Sequence, residues 1–350
     1  MVFKTLDVEK DLAGQGYALN SYDVVVASNV LHATTNLHNT LQNVRSLLKP
    51  GGYLFLLEIT DNTTIRYSFS MGGLSGWWLG VEDGRPYSPC ITPAKWNQAL
   101  RKAGFARVDA ITPARDLYPN PFSIIASQAV DEKTTQLRRP LLKARRQGDG
   151  KTSTNLYILG GLDLETSKII EDAVGSVDHI FDDVSTIDTL EDVLDADVSP
   201  NATVLNLFDL DGPVFKDMSP RRLKALQLLI ENIHNLLWVT HGQERENPWS
   251  NASVGFLRSV AAELPTLRAQ VLDFSAADKP SANTRAITEV LLRLVATDAW
   301  ERDPEFKDRQ LWTTEPELRF REGAPRWVIA FMKSANSFQT LSLSETGVAF

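Results

Sequence analysis

The sequence predicts an α/β chain made of two successive strand–helix units, and three observations carry that expectation. Residues 22–60 (YDVVVASNVLHATTNLHNTLQNVRSLLKPGGYLFLLEIT) read as strand, helix, turn and strand, with both strands apolar enough to be covered on both faces. Residues 155–296 return to strand–helix alternation. Between them, residues 131–153 (DEKTTQLRRPLLKARRQGDGKTS) are polar, strongly charged and end in Gly-Asp-Gly, which marks a linker.

Taken in order, residues 2–7 have the look of a strand with Asp7 at its carboxyl end, and residues 11–17 form a loop with two glycines. Residues 23–28 are a short β-branched run that fits a central parallel strand. Leu37, Leu41, Val44 and Leu48 recur at three- and four-residue spacing, giving a helix over 36–48 with one apolar face. Lys49-Pro50-Gly51-Gly52 stops that helix, and residues 53–59 form the next strand.

Residues 60–89 (TDNTTIRYSFSMGGLSGWWLGVEDGRPYSP) mix Gly and Ser with five aromatic side chains in no clean period. They fit either a flap packed on the sheet or an aromatic lid over a ligand. Thr92 and Pro93 open a helix over 92–104 with Trp96, Leu100 and Ala103 on one face. Strands are expected over 105–111 and 121–126.

In the second half, strands are expected over 155–159, 177–181, 203–208, 236–240 and 269–274. Helices are expected over 166–174, from Pro220 behind a Ser219 cap, over 249–264 and over 284–296. Beyond Thr297 the sequence reads as irregular. The expected organisation is therefore a first domain over 1–130, a linker over 131–153, a second domain over 154–300 and an irregular tail over 301–350.

The bulk composition narrows the function classes. The chain has 350 residues, 43% hydrophobic and 23% charged, which is an ordinary globular balance. A formal charge of −8 argues against a nucleic-acid or anionic-membrane partner. A single cysteine, Cys90, excludes an intrachain disulfide and fits a reducing, cytoplasmic setting. No window is apolar and long enough for a membrane span, and the charged first residues do not suit a signal peptide. The sequons at Asn62, Asn201 and Asn251 then read as chance matches.

A ligand in such a sheet sits off the carboxyl ends of the strands. The first strand of the 22–60 stretch ends near Asn29 and His32, and the second ends at Glu58. A carboxylate accepting one imidazole proton would fix the tautomer and raise the basicity of the other nitrogen. That suits removal of a weakly acidic carbon-bound proton, although a hydrogen-bonded structural histidine has the same signature. His38, His179, His234 and His241 are scattered without ligand spacing, so no metal site is expected. In the second half, a strand enters Gly160-Gly161, but the following Leu-Asp-Leu-Glu lacks the third glycine of a pyrophosphate cradle. No Tyr is followed four residues later by Lys, so no NADPH chemistry is expected.

The segments FKTLDVEKD, YDVVVASNVLHATTNLHNTL, LLKPGGYLFLLEIT, GWWLGVEDGRPYSP and KWNQALRKAGF resemble the C-methyltransferase domain of fungal highly reducing polyketide synthases, including the hybrid synthase–peptide synthetase enzymes. That resemblance implies a class I, Rossmann-like methyltransferase sheet over residues 1–130. It implies His32 and Glu58 as the catalytic pair, Asp7 and Asn29 on the side of S-adenosyl-L-methionine, and Trp77, Trp78 and Tyr87 around an acyl tunnel. The implied substrate is a β-ketoacyl thioester on an acyl carrier protein, methylated at its α-carbon without a metal. The remaining synthase domains would be partners. The Gly-rich loop and ribose-binding acid of that family have no counterpart in the sequence, because the chain starts at what would be the third strand. The sheet is therefore expected to be incomplete, with unpaired strand edges and much of the cofactor site missing. LLWVTHGQ, ENPWSNASVGFLRSVAAELP and AQVLDF are similar to the catalytically empty ketoreductase subdomain of the same synthases, and LWTTEPELRF looks like a junction towards an enoylreductase region. A non-catalytic scaffold piece is the alternative that this reading leaves open.

Overall fold

A computed structural model describes residues 3–61, 65–112, 121–141, 154–243, 247–302, 311–312, 314–320 and 328–329. Residues up to 135, with 311–312, form one compact unit, and the rest form a second. Asn62, the linker beyond residue 141 and the tail beyond residue 329 lie outside the described residues.

In the first unit, β1 (Tyr22–Ser28) runs parallel to β2 (Leu48–Ile59), which is the long central strand. β4 (Phe122–Gln128) is antiparallel to β2, and β3 (Ala110–Ile111) adds two residues at its far side, giving the order β1-β2-β4-β3. Helix α1 (Leu37–Leu47) is capped by Asn36, whose side chain accepts from the Asn39 amide. It packs with α3 (Pro93–Lys102) on one face of the sheet, burying Leu41, Val44, Trp96 and Leu100 against Leu54, Leu56 and Ile125. On the other face, Trp77 and Cys90 cover Ile59, beside Tyr67 and Phe122. Helices α2 (Ile65–Met71) and α4 (Glu132–Arg138) are short.

Three expectations change here. Residues 3–7 form no strand, and among the described residues no strand pairs with the outer edge of β1. An extended segment with no neighbour has nowhere to place its backbone hydrogen bonds and is not held as a strand. β1 therefore has the β-branched composition of a central strand but lies at an edge, with Val26 73% exposed. Residues 105–109 meet β4 through a bridge at Phe105 and scattered hydrogen bonds from Ala106 and Asp109 without a continuous ladder, so the expected 105–111 strand shrinks to β3. The 60–89 flap also contains regular structure, α2 and a 3₁₀ turn at Ser75–Trp78.

The second unit has seven strands: β5 (Leu156–Leu159), β6 (Val184–Ile187), β7 (Ala202–Asn206), β8 (Ile233–His241), β9 (Arg268–Phe274), β10 (Glu317–Phe320) and β11 (Val328–Ile329). Their order is β11-β10-β9-β8-β7-β5-β6, parallel throughout except for β11. This is a doubly wound sheet, with its switch point where β5 lies between β6 and β7. Helices α5 (Leu164–Val177) and α8 (Thr284–Glu301) cover the face carrying Leu156, Ile158, Leu205 and Val239. Helices α6 (Pro220–Asn232) and α7 (Pro248–Glu263) cover the face carrying Tyr157, Leu159, Val204 and Trp238. Burial on both faces explains why these strands read as unbroken apolar runs.

Two boundaries move. Val177 ends α5, and the strand expected over 177–181 lies later, at β6. Its sequence, VSTI, is too polar to stand out because β6 is an edge strand. Residues 317–320, expected in an irregular tail, form β10. Phe320 packs on Phe274 with ring centroids 4.9 Å apart, and Glu317 is held by Arg258, so four residues gain strand structure from β9 and not from a pattern of their own.

Gly51 joins distant parts of the first unit. Its φ is +88°, and a Cβ there would lie 2.1 Å from the Leu311 carbonyl oxygen. Gly51→Ala is expected to destabilise the first unit by at least the roughly 1–2 kcal/mol of a left-handed backbone. A thermal melt equal to the parent chain's would show that residue 311 does not dock there.

Candidate active site

The site is built where β1 and β2 end together. The parallel register sets Ala27 opposite Leu56 and Ser28 opposite Leu57, so the chain leaving β1 turns directly over Glu58. Asn29 makes the turn with a left-handed φ of +53°, which Asn tolerates better than most residues, and its amide donates to the Leu57 carbonyl. Residues 30–36 then cross the strand end as a loop before α1 begins.

Glu58 is fully buried and His32 is 7% exposed. His32 Nδ1 lies 2.5 Å from Glu58 Oε2, and the Leu31 amide donates to Glu58 Oε1 at 3.2 Å. A carboxylate oxygen accepts, so the ring proton sits on Nδ1 and Nε2 is left as the basic nitrogen. The same carboxylate thus fixes both the ring and the backbone of the loop that carries it. The structure brings together the pair that the sequence singled out.

The other expected site residues divide. Asp7 lies on a loop fixed by Gln15, with its carboxylate on Lys10 Nζ at 2.9 Å. That hydrogen bond, with the Glu9 amide, holds the Asp7 carboxyl below its ordinary value. The loop reaches the site through Glu9, whose Oε1 accepts from the Thr35 amide at 2.7 Å. The Asn29 side chain is exposed beside the carboxyl end of β1. Trp77 is buried against Ile59 and Cys90, whereas Trp78 is half exposed and donates from Nε1 to the Gly72 carbonyl. Tyr87 is 86% exposed among the described residues. The turn that carries it sends Arg85 inward instead.

Arg85 is the residue that the sequence reading passed over. Its guanidinium is buried and donates to the carbonyls of His32 and Thr34, each at 2.6 Å. Asp83, from the same turn, pairs with Arg85 at 3.1 Å and accepts from the Leu37 amide at the start of α1. The available signal was an arginine between Asp-Gly and Pro inside an apolar stretch.

Among the described residues no group of three His, Cys, Asp or Glu side chains could hold a metal ion. His234 pairs with Asp298 at 2.9 Å within the second unit, away from any strand carboxyl end. In that unit the Gly160-Gly161 turn, with both φ values at +117°, is filled from inside: Asp211 accepts from the Gly161 and Asp163 amides at 2.8 and 2.9 Å.

A methyltransferase domain family matches residues 1–110. The hybrid PKS-NRPS synthetase gkaA of Penicillium citrinum is 44% identical over 328 residues, covering 92% of this chain and 8% of its own length. The hybrid PKS-NRPS synthetase thnA of Trichoderma harzianum is 44% identical over 330 residues, with the same coverage. Over most of its length the chain is similar to a segment of fungal hybrid PKS-NRPS synthetases. It spans about a twelfth of the length of these curated relatives, since the match covers 8% of each. The solved structure of the citrinin polyketide synthase CMeT domain is 32% identical, with a TM-score of 0.33, covering 37% of this chain and 33% of that one. No helix among the described residues is long and apolar enough to cross a membrane.

Cys90 reports on how dry the site is. Burial pushes its thiol up to about 11, and the Glu58 carboxylate adds to the rise. The thiol form is therefore favoured by folding, and its contribution is present below the ordinary thiol range and lost as pH rises towards 11. At pH 8 only about one thiol in a thousand is ionised. Iodoacetamide is expected to label Cys90 in the native chain far more slowly than in urea. Equal rates would mean that the site is open.

Proposed function

We propose that this chain carries the proton-abstracting half of a C-methyltransferase site that acts on the α-carbon of a β-ketoacyl thioester borne by an acyl carrier protein. The observation that carries the reading is the buried His32–Glu58 pair, with Nδ1 committed to the carboxylate and Nε2 left basic. A proton between a ketone and a thioester carbonyl is acidic enough for an imidazole base near neutral pH. His32 takes it, and Glu58 stabilises the imidazolium that forms while holding the ring still. The match of residues 1–110 to a methyltransferase domain supports methyl transfer as the step that follows. The burial of Trp77 against Ile59 and Cys90 supports a role for the 65–90 segment in keeping water from the enolate, with Trp78 as its exposed neighbour in the proposed acyl tunnel.

The methyl donor of this reading is S-adenosyl-L-methionine, which supplies an electrophilic methyl group when bound. The described residues give only one side of a cradle for it: the Asn29 turn and the Asp7 loop joined through Glu9. Asp7 is engaged by Lys10, and among the described residues no strand pairs with the open edge of β1. These residues do not by themselves fit the cofactor, so no step is routed through it here. The other synthase domains enter as the partners that would deliver the substrate.

A second reading is a scaffold piece without activity, and the second unit favours it. There the amides of the glycine turn, which a dinucleotide pyrophosphate would need, are taken by Asp211, as suits a pseudo-ketoreductase that binds no NADPH.

Exchange in heavy water separates the two without requiring the methyl donor. The chain is expected to speed hydrogen–deuterium exchange at the α-carbon of a β-ketoacyl pantetheine thioester, read by proton NMR. His32→Ala should lower the rate by about 10²–10⁴-fold and Glu58→Gln by less. Exchange no faster with the parent chain than with His32→Ala would leave the scaffold reading. In parallel, NADPH at millimolar concentration is expected to leave the melting temperature unchanged, and a rise would overturn the pseudo-reductase assignment.

A further inference from the structure

We infer that Arg85 is a positioning residue for the His32–Glu58 pair, holding from the carbonyl side the loop that Glu58 holds from the amide side. The inference rests on the reading of that pair as the site. Residues 30–36 have no regular structure, so no helix or sheet ladder fixes the backbone of His32. Beside the local Ala33 amide–Val30 carbonyl and Thr34 hydroxyl–Leu31 carbonyl bonds and the Glu9 contact to the Thr35 amide, four hydrogen bonds tie residues 31–34 to Glu58 and Arg85. Two come from Glu58, to the Leu31 amide and the His32 ring. Two come from Arg85, to the His32 and Thr34 carbonyls. Removing the second pair strands two buried carbonyls, and the peptide planes on both sides of Ala33 must turn to find other donors.

The guanidinium is committed to this task. Nη1 serves the His32 carbonyl and, more distantly, the Pro89 carbonyl; Nη2 serves the Thr34 carbonyl and Asp83. Both terminal nitrogens are thus engaged by the protein, and Nε is buried without a partner, so the contacts Arg85 makes act on the His32 loop. The fork geometry matters, because two carbonyls are held at once by one planar group, which a lysine ammonium cannot reproduce. Gly80 makes room for it: a Cβ there would lie 2.5 Å from Arg85 Cζ. Asp83 ties the same turn to the start of α1, so the 80–89 segment grips both ends of the His32 loop.

The test uses the full chain labelled with ¹⁵N-histidine, which gives only five imidazoles to assign. Long-range nitrogen–proton spectra read the tautomer of His32 and the exchange of its Nδ1 proton with water. In the parent chain a single Nδ1-protonated tautomer is expected. In Arg85→Ala that proton should exchange about tenfold faster, the factor that loss of one buried hydrogen bond implies. The tautomer should become mixed, while His234 in the second unit keeps its signals. Millimolar guanidinium should restore the parent spectrum, and Arg85→Lys should recover it only in part. If Arg85→Ala does not fold, Gly80→Ala, which displaces the guanidinium without removing it, should give the same change. A folded variant with His32 signals identical to the parent's would overturn the role of Arg85. A parent chain without the Nδ1-protonated form would bring down the pair itself, and the Arg85 role with it.

Discussion

Everything in the first unit converges on one buried carboxylate. Glu58 ends the central strand with no exposed surface, a position that would be costly for a charge without partners. Both of its oxygens find donors, one in the Leu31 amide and one in the His32 ring. Those donors come from the loop that a parallel neighbour must send across the strand end. Removing either donor would leave a buried carboxylate oxygen unpaired, a penalty of at least about 1–3 kcal/mol. The loop is therefore fixed by the same interaction that makes its histidine basic. Structure and proposed chemistry share one contact, and neither can be altered alone.

Much of this was legible in the sequence, for identifiable reasons. Leu37, Leu41 and Val44 gave α1 because a helix buried on one face leaves a periodic trace. His32 and Glu58 were legible because consecutive parallel strands place their carboxyl ends at one rim, so two separated polar residues could be paired by topology alone. Arg85 was not legible. Its partners are backbone carbonyls, which have no sequence signature, and its burial follows from a turn whose path the aromatic stretch conceals. The same turn that buries Arg85 leaves Tyr87 exposed, a difference that residue type alone does not announce. β10 escaped because four residues between charged segments carry too little pattern, and its strand structure is lent by β9.

The two units treat a strand's carboxyl end in opposite ways. At the end of β2 a polar pair is enclosed with one basic nitrogen uncommitted. At the end of β5, by contrast, the glycine turn that could receive an anion is already filled by Asp211. The internal carboxylate satisfies the orphan amides ahead of α5 at a fixed distance, which a mobile ligand does only when bound. Nearby, Asp209 is likewise turned to structural use, taking hydrogen bonds from Trp238 and the Val214 amide, while burial pushes its carboxyl above the ordinary range. The ends of β5 and β7 are thus knitted into the fold.

The open edge of β1 gives the last step. Its valines are composed for the middle of a sheet, and Val24 and Val26 face water. The base, however, does not depend on that edge. The hydrogen bonds made directly by His32 and by the Leu31 amide are drawn from Glu58 on β2 and from the Arg85 turn. In the proposed reading, the side of the site that would remove the proton is therefore organised locally, independently of any group that could pair with the open edge of β1. Preorganisation of this kind is the larger part of what a general-base site contributes, because its polar groups need not reorganise when charge develops.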